Sequence, residues 1–187
     1  MTATMDYTTK TIEKGWRLEV QLDNDPVNPL ADVDDVIFHM AHARYNLYNT
    51  YPSGDGWHTV DRTQVGVLVP LYMYDHGLIA LDTAPFTTAY DSGLIGYAII
   101  SKTVLKEHFT DLEEAEQYIR GLLDQYVQYL NGNVYRYELY YNGDLRSSCG
   151  GFYGTDFMDN GMGYYLEAYL SKDDVFTMIQ ALGGDVA

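Results

Sequence analysis

The sequence predicts an α+β fold: a single domain on a mainly antiparallel, twisted sheet, with one long helix at about 111–131 and a short C-terminal helix. Three patterns carry that prediction. Several stretches alternate apolar and polar residues or run continuously β-branched, as half-buried and central strands do. A single stretch, from Leu112 to Leu130, repeats apolar residues at spacings of three and four. Val134 to Tyr141, Tyr-rich and alternating, and Leu145 to Tyr153 flank Asn142-Gly143, a pair that tolerates the positive φ of a tight hairpin turn. The 187 residues suffice for one real core, so a single domain over 15–187 is expected behind a flexible tail at 1–14.

The elements follow in order. Residues 1–14 are polar and Thr-rich with no apolar period. Gly15 to Leu22 alternates as a strand with one buried face must, and the turn formers of Asp23 to Pro29 make a loop. Residues 33–48 fit two readings, because Val36, Ile37, Met40 and Ala43 suit a helix while Ile37, His39 and Ala41 alternate; a strand, or a short helix feeding one, is expected. Tyr51 to Gly56 reads as an exposed loop. Val65 to Tyr74 is a central strand in which Pro70 implies a bulge or an edge position. Leu78 to Leu81 and Leu94 to Ser101 would complete a three-stranded meander. Thr110 or Asp111 caps the long helix, Glu113, Glu114 and Glu116 suit its positive end, and Gly132 stops it. Its stripe of Leu112, Ala115, Ile119, Leu122, Tyr126 and Leu130 packs on the sheet. Val134 to Tyr141 and Leu145 to Tyr153 form the hairpin, with a bulge at Gly150-Gly151. Ser171 opens the last helix and Gly183-Gly184 ends it.

Composition narrows function more than any motif does. The net charge is −16, from 11 basic and 27 acidic residues, and 19 of the acids are Asp. Such a field repels nucleic-acid phosphates and anionic membranes, and it attracts basic protein surfaces. Ordinary solubility and adaptation to high internal salt account for the same charge. No stretch approaches the roughly 18 to 20 apolar residues of a bilayer crossing, and the N-terminus lacks a secretion signal's apolar core. A cytoplasmic location is expected. Cys149, the only cysteine, has no internal partner for a disulfide.

Few side chains are grouped as chemistry requires. His39 and His42 lie three apart, with His76 beside Asp75, but this spacing matches no zinc signature and no metal site is assigned. Asp23, Asp25, Asp32, Asp34 and Asp35 crowd one window that lacks the central glycine and terminal Glu of a calcium loop. With Glu113 and Glu114 they form a candidate acidic interaction surface, against the simpler reading of a solvated loop. Cys149 with His42 or His58 lacks any local nucleophile signature, so no catalytic residue and no cofactor is assigned. Tyr135, Tyr137, Tyr140, Tyr141, Tyr153, Tyr164, Tyr165 and Tyr169 offer either a recognition surface or cross-strand packing.

The segment Val69 to Ile100 carries an apolar strand ending in Tyr74-Asp75-His76, a Pro85-Phe86 loop, and Asp91-Ser92-Gly93 leading through Gly96 into a second strand. With GWRLEV, HARYNL, VYRYELY and CGGFYG it resembles a family of uncharacterised acidic proteins encoded by phages, plasmids and other mobile elements. The resemblance covers most of the chain. It implies a mobile-element accessory gene working in a host cytoplasm, and it marks Asp75, His76, Asp91, Ser92, His42, Arg44 and Tyr45 as candidate binding residues.

Two functions are carried forward. The first is a non-enzymatic protein that binds and occludes a basic site on a host nucleic-acid-handling or defence protein, its carboxylates standing in for phosphates. It would bind no nucleic acid and no membrane directly. The alternative is a small-ligand-binding protein or enzyme with its site around Asp75, His76, Asp91 and Ser92, where His76 is the acid or base and Arg44 an anion clamp.

Overall fold

In the computed structural model, which describes residues 9–50, 61–88 and 90–182, the strands separate into two four-stranded antiparallel sheets. In chain order the first elements are β1 (Thr9–Glu13), β2 (Trp16–Leu22), β3 (Ile37–Met40), β4 (Val65–His76), β5 (Leu78–Asp82) and β6 (Ser92–Ser101). Helices α1 (Lys102–His108) and α2 (Leu112–Leu130), strands β7 (Val134–Tyr141) and β8 (Asp144–Tyr153), and helices α3 (Met162–Leu166) and α4 (Lys172–Ala181) follow. The α+β class stands, with two sheets in place of the one expected. Residues 28–131 form one compact unit, and the chain up to Val27 joins that from Gly132 on to form the other.

In the unit of residues 28–131 the strand order is β3-β6-β4-β5. Strand β6 therefore pairs with β4 and not with β5, so the expected meander is absent. Strand length explains this: ten residues of β6 find a longer ladder on the twelve of β4 than on the five of β5. Pro70 pairs only with Tyr97, in the part of β4 that β5, ending opposite Tyr72, does not reach. The missing N–H is tolerated there. Helix α2 lays Ala115, Ile119, Leu123 and Tyr126 on the core of this sheet, among Phe38, Leu71, Met73 and Ile100. Complete burial of Ile119 or Leu123 stabilises the unit by about 1.5–3 kcal/mol each. Asp111 is the cap: its carboxylate accepts from Glu114 N at 2.9 Å, and Glu114 accepts from Thr110 N at 2.6 Å. At the other end Asn131 accepts from Ile79 N (2.9 Å) and donates to Ile79 O (2.8 Å), tying the helix terminus to β5.

In the discontinuous unit the order is β1-β2-β7-β8. Residues 9–13, read from the sequence as tail, pair as the edge strand beside β2, because Lys14-Gly15, both at positive φ, turn the chain back on itself. Residues 1–8 lie outside the described set. Asn142 (φ 49°) and Gly143 (φ 93°) make the expected hairpin turn. The register slips at Gly150-Gly151, where Gly151 takes φ 81° and donates its N–H to Asp23 at 3.0 Å. Leu18, Val20, Tyr135, Tyr137, Leu139 and Phe152 face α3 and α4, whose Met162, Leu166, Val175, Met178 and Ile179 close the core. Ser171 caps α4 by accepting from Asp174 N at 3.2 Å.

Helices α1 and α3 were not anticipated. Ser101 caps α1 by accepting from Val104 N at 3.2 Å, but an apolar strand runs directly into it and hides the boundary. The loop expected at Tyr51 to Gly56, His58 and the stop at Gly183-Gly184 fall outside the described residues. Among the described residues no helix is long and apolar enough to cross a membrane.

Candidate functional site

Strand β3 lies at a sheet edge, and its open side is paired by the segment that follows. Phe38 N donates to Thr50 Oγ1 (3.0 Å) and Phe38 O accepts from Thr50 N (3.1 Å). Met40 N donates to Asn49 Oδ1 (2.7 Å) and Met40 O accepts from Asn49 Nδ2 (2.7 Å). The sheet edge is thereby blunted by Asn49 and Thr50. Ala41 N donates to Ile95 O (2.8 Å) and Tyr48 N to the buried Tyr126 hydroxyl (2.8 Å), so the segment carrying His42, Arg44 and Tyr45 is held at both ends.

The opposing residues come from the adjacent ends of β4 and β6. Asp75 N donates to Asp91 O at 2.8 Å, and Asp91 adopts φ 65°, a left-handed conformation that Asp tolerates better than most residues. Arg44 Nη2 ion-pairs with Asp75 Oδ2. The Tyr45 phenol is raised above its ordinary value, first by its hydrogen bond to Asp75. Its ring stacks on His42 at 5.1 Å. His76 Nδ1 lies 3.1 Å from Asp91 Oδ2, and the His76 ring stacks on Tyr74 at 6.2 Å. Phe86 packs on the same tyrosine at 5.8 Å. His42, Arg44, Asp75, Asp91 and Ser92, with Met73, line a hollow of about 360 Å³. Five of the seven residues singled out from sequence therefore face one space; Tyr45 joins them through His42 and Asp75, and His76 through Asp91.

Charge and hydrogen bonding define what this arrangement can do. The Asp75 side chain is only 11% exposed, and Arg44 and Tyr45 satisfy it. Arg44 is 65% exposed, so guanidinium donors beyond the one paired with Asp75 are accessible to an anion. His42 Nδ1 accepts from Arg44 N at 3.2 Å, which puts the proton of the neutral ring on Nε2. Ser92 Oγ donates to Thr88 O. The hollow is equipped to bind and orient. Among the described residues no group of three His, Cys, Asp or Glu gathers as cation ligands.

Comparison with protein families, curated proteins and solved structures gave no match. The chemistry of this chain is read from its own residues.

The seven candidate acids divide between the two units. Asp23 and Asp25 belong to the discontinuous unit, and Asp32, Asp34, Asp35, Glu113 and Glu114 to the other. Asp23 serves the fold, accepting from Asp25 N at 3.2 Å and from Gly151 N. Asp35 pairs with His108 at 3.1 Å, and Glu114 sits in the α2 cap, its carboxyl lowered by the Thr110 backbone and hydroxyl donors. Asp25, Asp32, Asp34 and Glu113 are exposed. Asp35 and Glu114 line a shared hollow with Phe109 and Tyr118.

The tyrosines divide by element. Tyr135 and Tyr137 turn into the core, whereas Tyr164, Tyr165 and Tyr169 stand out at 79%, 51% and 46% exposure. Burial pushes the Tyr137 phenol up. Cys149 is half-buried opposite Tyr137 on β8. Asn49, the residue that holds the site segment on β3, escaped sequence reading because one asparagine in a polar stretch signals only a turn.

Proposed function

We propose that this protein acts by binding, as a mobile-element accessory protein whose acid-rich surface occupies and occludes a basic site on a host protein that handles nucleic acid or serves defence. The observation that carries the reading is the spread of charge: 14 acidic residues against 5 basic in residues 28–131, and 13 against 6 in the remainder. Each unit thus carries the same sign, so either one offers an attractive field to a basic partner surface. Exposed Asp32, Asp34 and Glu113 supply carboxylates where phosphates would sit. Affinity chromatography of host extract on the immobilised chain, repeated at raised salt and with duplex DNA as competitor, tests this. A partner retained at low salt and released by salt and by DNA is expected. Retention indifferent to both, or no partner at low salt, refutes it.

A second reading is favoured by the convergence of His42, Arg44, Asp75, Asp91 and Ser92 on one hollow. It makes that hollow a small-anion site clamped by Arg44. Titration with a panel of small carboxylates and phosphates, with Arg44→Ala as control, decides it. Saturable binding lost in Arg44→Ala supports the site, and binding unchanged by that substitution removes it.

A further inference from the structure

The discontinuous unit holds a second hollow, of about 450 Å³, formed by Tyr164, Tyr165 and Tyr169 with Glu167, over Tyr137 and Ser147 of the sheet. Its walls are built. The rings of Tyr164 and Tyr165 stand at 90° with centroids 6.1 Å apart, and Tyr165 is braced edge-on against the buried Phe152 at 5.6 Å. Tyr165 lies in α3 and Tyr169 in the turn that follows it, and both line the hollow. The Tyr137 hydroxyl and Ser147 Oγ satisfy each other at 2.9 Å, which leaves the base of the hollow polar yet internally paired. Three large exposed rings within six residues add little to the core and line one space.

Those rings select a ligand class. The face of an aromatic ring is electronegative, and rings meeting at right angles surround a cation on more than one side. Glu167 adds a carboxylate to that wall, and this unit carries 13 acidic residues against 6 basic. A divalent metal needs several oxygen ligands, and the lining offers a single carboxylate. A guanidinium prefers a carboxylate free for two parallel hydrogen bonds, whereas Glu167 Oε2 already lies 3.8 Å from Lys172 Nζ. A bare ammonium loses strong hydration on entering. An alkylated ammonium, with diffuse charge and apolar methyl groups, meets both the rings and the acid. We propose that this hollow is a binding site for an alkylated ammonium group, carried either by a free choline-like molecule or by a methylated lysine side chain.

The site is independent of the acid-driven binding of a basic partner, and its test does not use that partner. Choline is titrated into the full chain at constant ionic strength and followed through the tyrosine ring resonances, beside its neutral carbon isostere 3,3-dimethylbutan-1-ol. Saturable binding of choline is expected, with the isostere weaker by about tenfold or more. Tyr164→Ala and Glu167→Gln each weaken choline severalfold with an unchanged melting temperature, since the Tyr164 side chain lies mostly outside the core. A trimethyllysine peptide that binds more tightly than choline assigns the ligand to a protein, and one that binds equally or less assigns it to the free molecule. Failure of both choline and the peptide to saturate, equal binding of the isostere, or binding indifferent to Tyr164→Ala overturns the proposal.

Discussion

Gly96→Ala tests how the candidate site is held against its sheet. Gly96 pairs with Met40 of β3 on one side and Leu71 of β4 on the other. A Cβ at this position would overlap His39 O and approach His39 C to 2.8 Å and Met40 Cα to 2.9 Å. All three are backbone atoms, so no rotamer change relieves the contact, and β3 must move away from β6. Overpacking of this kind costs about 1–3 kcal/mol, and the upper end applies where backbone must give. A loss of about 3 kcal/mol corresponds to a fall in melting temperature of roughly 6–12 °C for a chain of this size. Displacing β3 also breaks the Ala41 N to Ile95 O bond and loosens the segment bearing His42 and Arg44. Thermal and urea unfolding followed by circular dichroism measure the first effect, and the His42 ring resonances report the second. Gly93→Ala, in the same strand with open space at its Cβ, is the control and should change stability by no more than about 0.5 kcal/mol. A Gly96→Ala protein melting within about 2 °C of the parent, with His42 undisturbed, would show that the strands do not approach as described.

Other substitutions probe the remaining supports. Asn49→Ala removes the side-chain pairing of Met40 N and O, and should cost about 1–3 kcal/mol while raising hydrogen exchange at Met40. Asn131→Ala unties α2 from Ile79 and should cost a similar amount in urea unfolding, about 1–3 kcal/mol, with faster exchange at Ile79 N. Glu114 has its carboxyl pKa lowered on folding by the Thr110 donors, so its contribution is complete above the ordinary glutamate range and is lost as pH falls through the folded value. Glu114→Gln should therefore flatten the acid limb of the stability profile relative to the parent. The difference between the two proteins is the quantity to follow, because acidification also relieves repulsion from the net charge of −16.

Much of the candidate site was legible as residue types. Asp75, Asp91, Ser92, His42 and Arg44 stood out in the sequence, and they line one hollow because β4 and β6 end side by side while β3 delivers the segment after Met40 to the same place. Their partners were not legible. Arg44 pairs with Asp75 across 31 positions, a relation that no local spacing encodes. The acidic window from Asp23 to Asp35 looked continuous, yet Asp23 folds onto Gly151 while Asp35 pairs with His108. Charge density in one dimension does not say which carboxylates face water.

Local physics determined what the sequence disclosed by itself: the α2 stripe from Ala115 on with its Asp111 cap, the Asn142-Gly143 hairpin, the alternation of β2 and β7, and the sign of the surface field. Each depends on residues within a few positions of one another. Leu112, expected in that stripe, stands exposed in the first turn. Only the tertiary structure decided that there are two sheets, that β6 passes β5 to pair with β4, that residues 9–13 become an edge strand, and that Tyr164, Tyr165 and Tyr169 wall a hollow while Tyr135 and Tyr137 vanish into a core. Strand pairing is a competition among ladders distant in sequence, and burial depends on which face a neighbouring element covers. Both are settled by the whole fold.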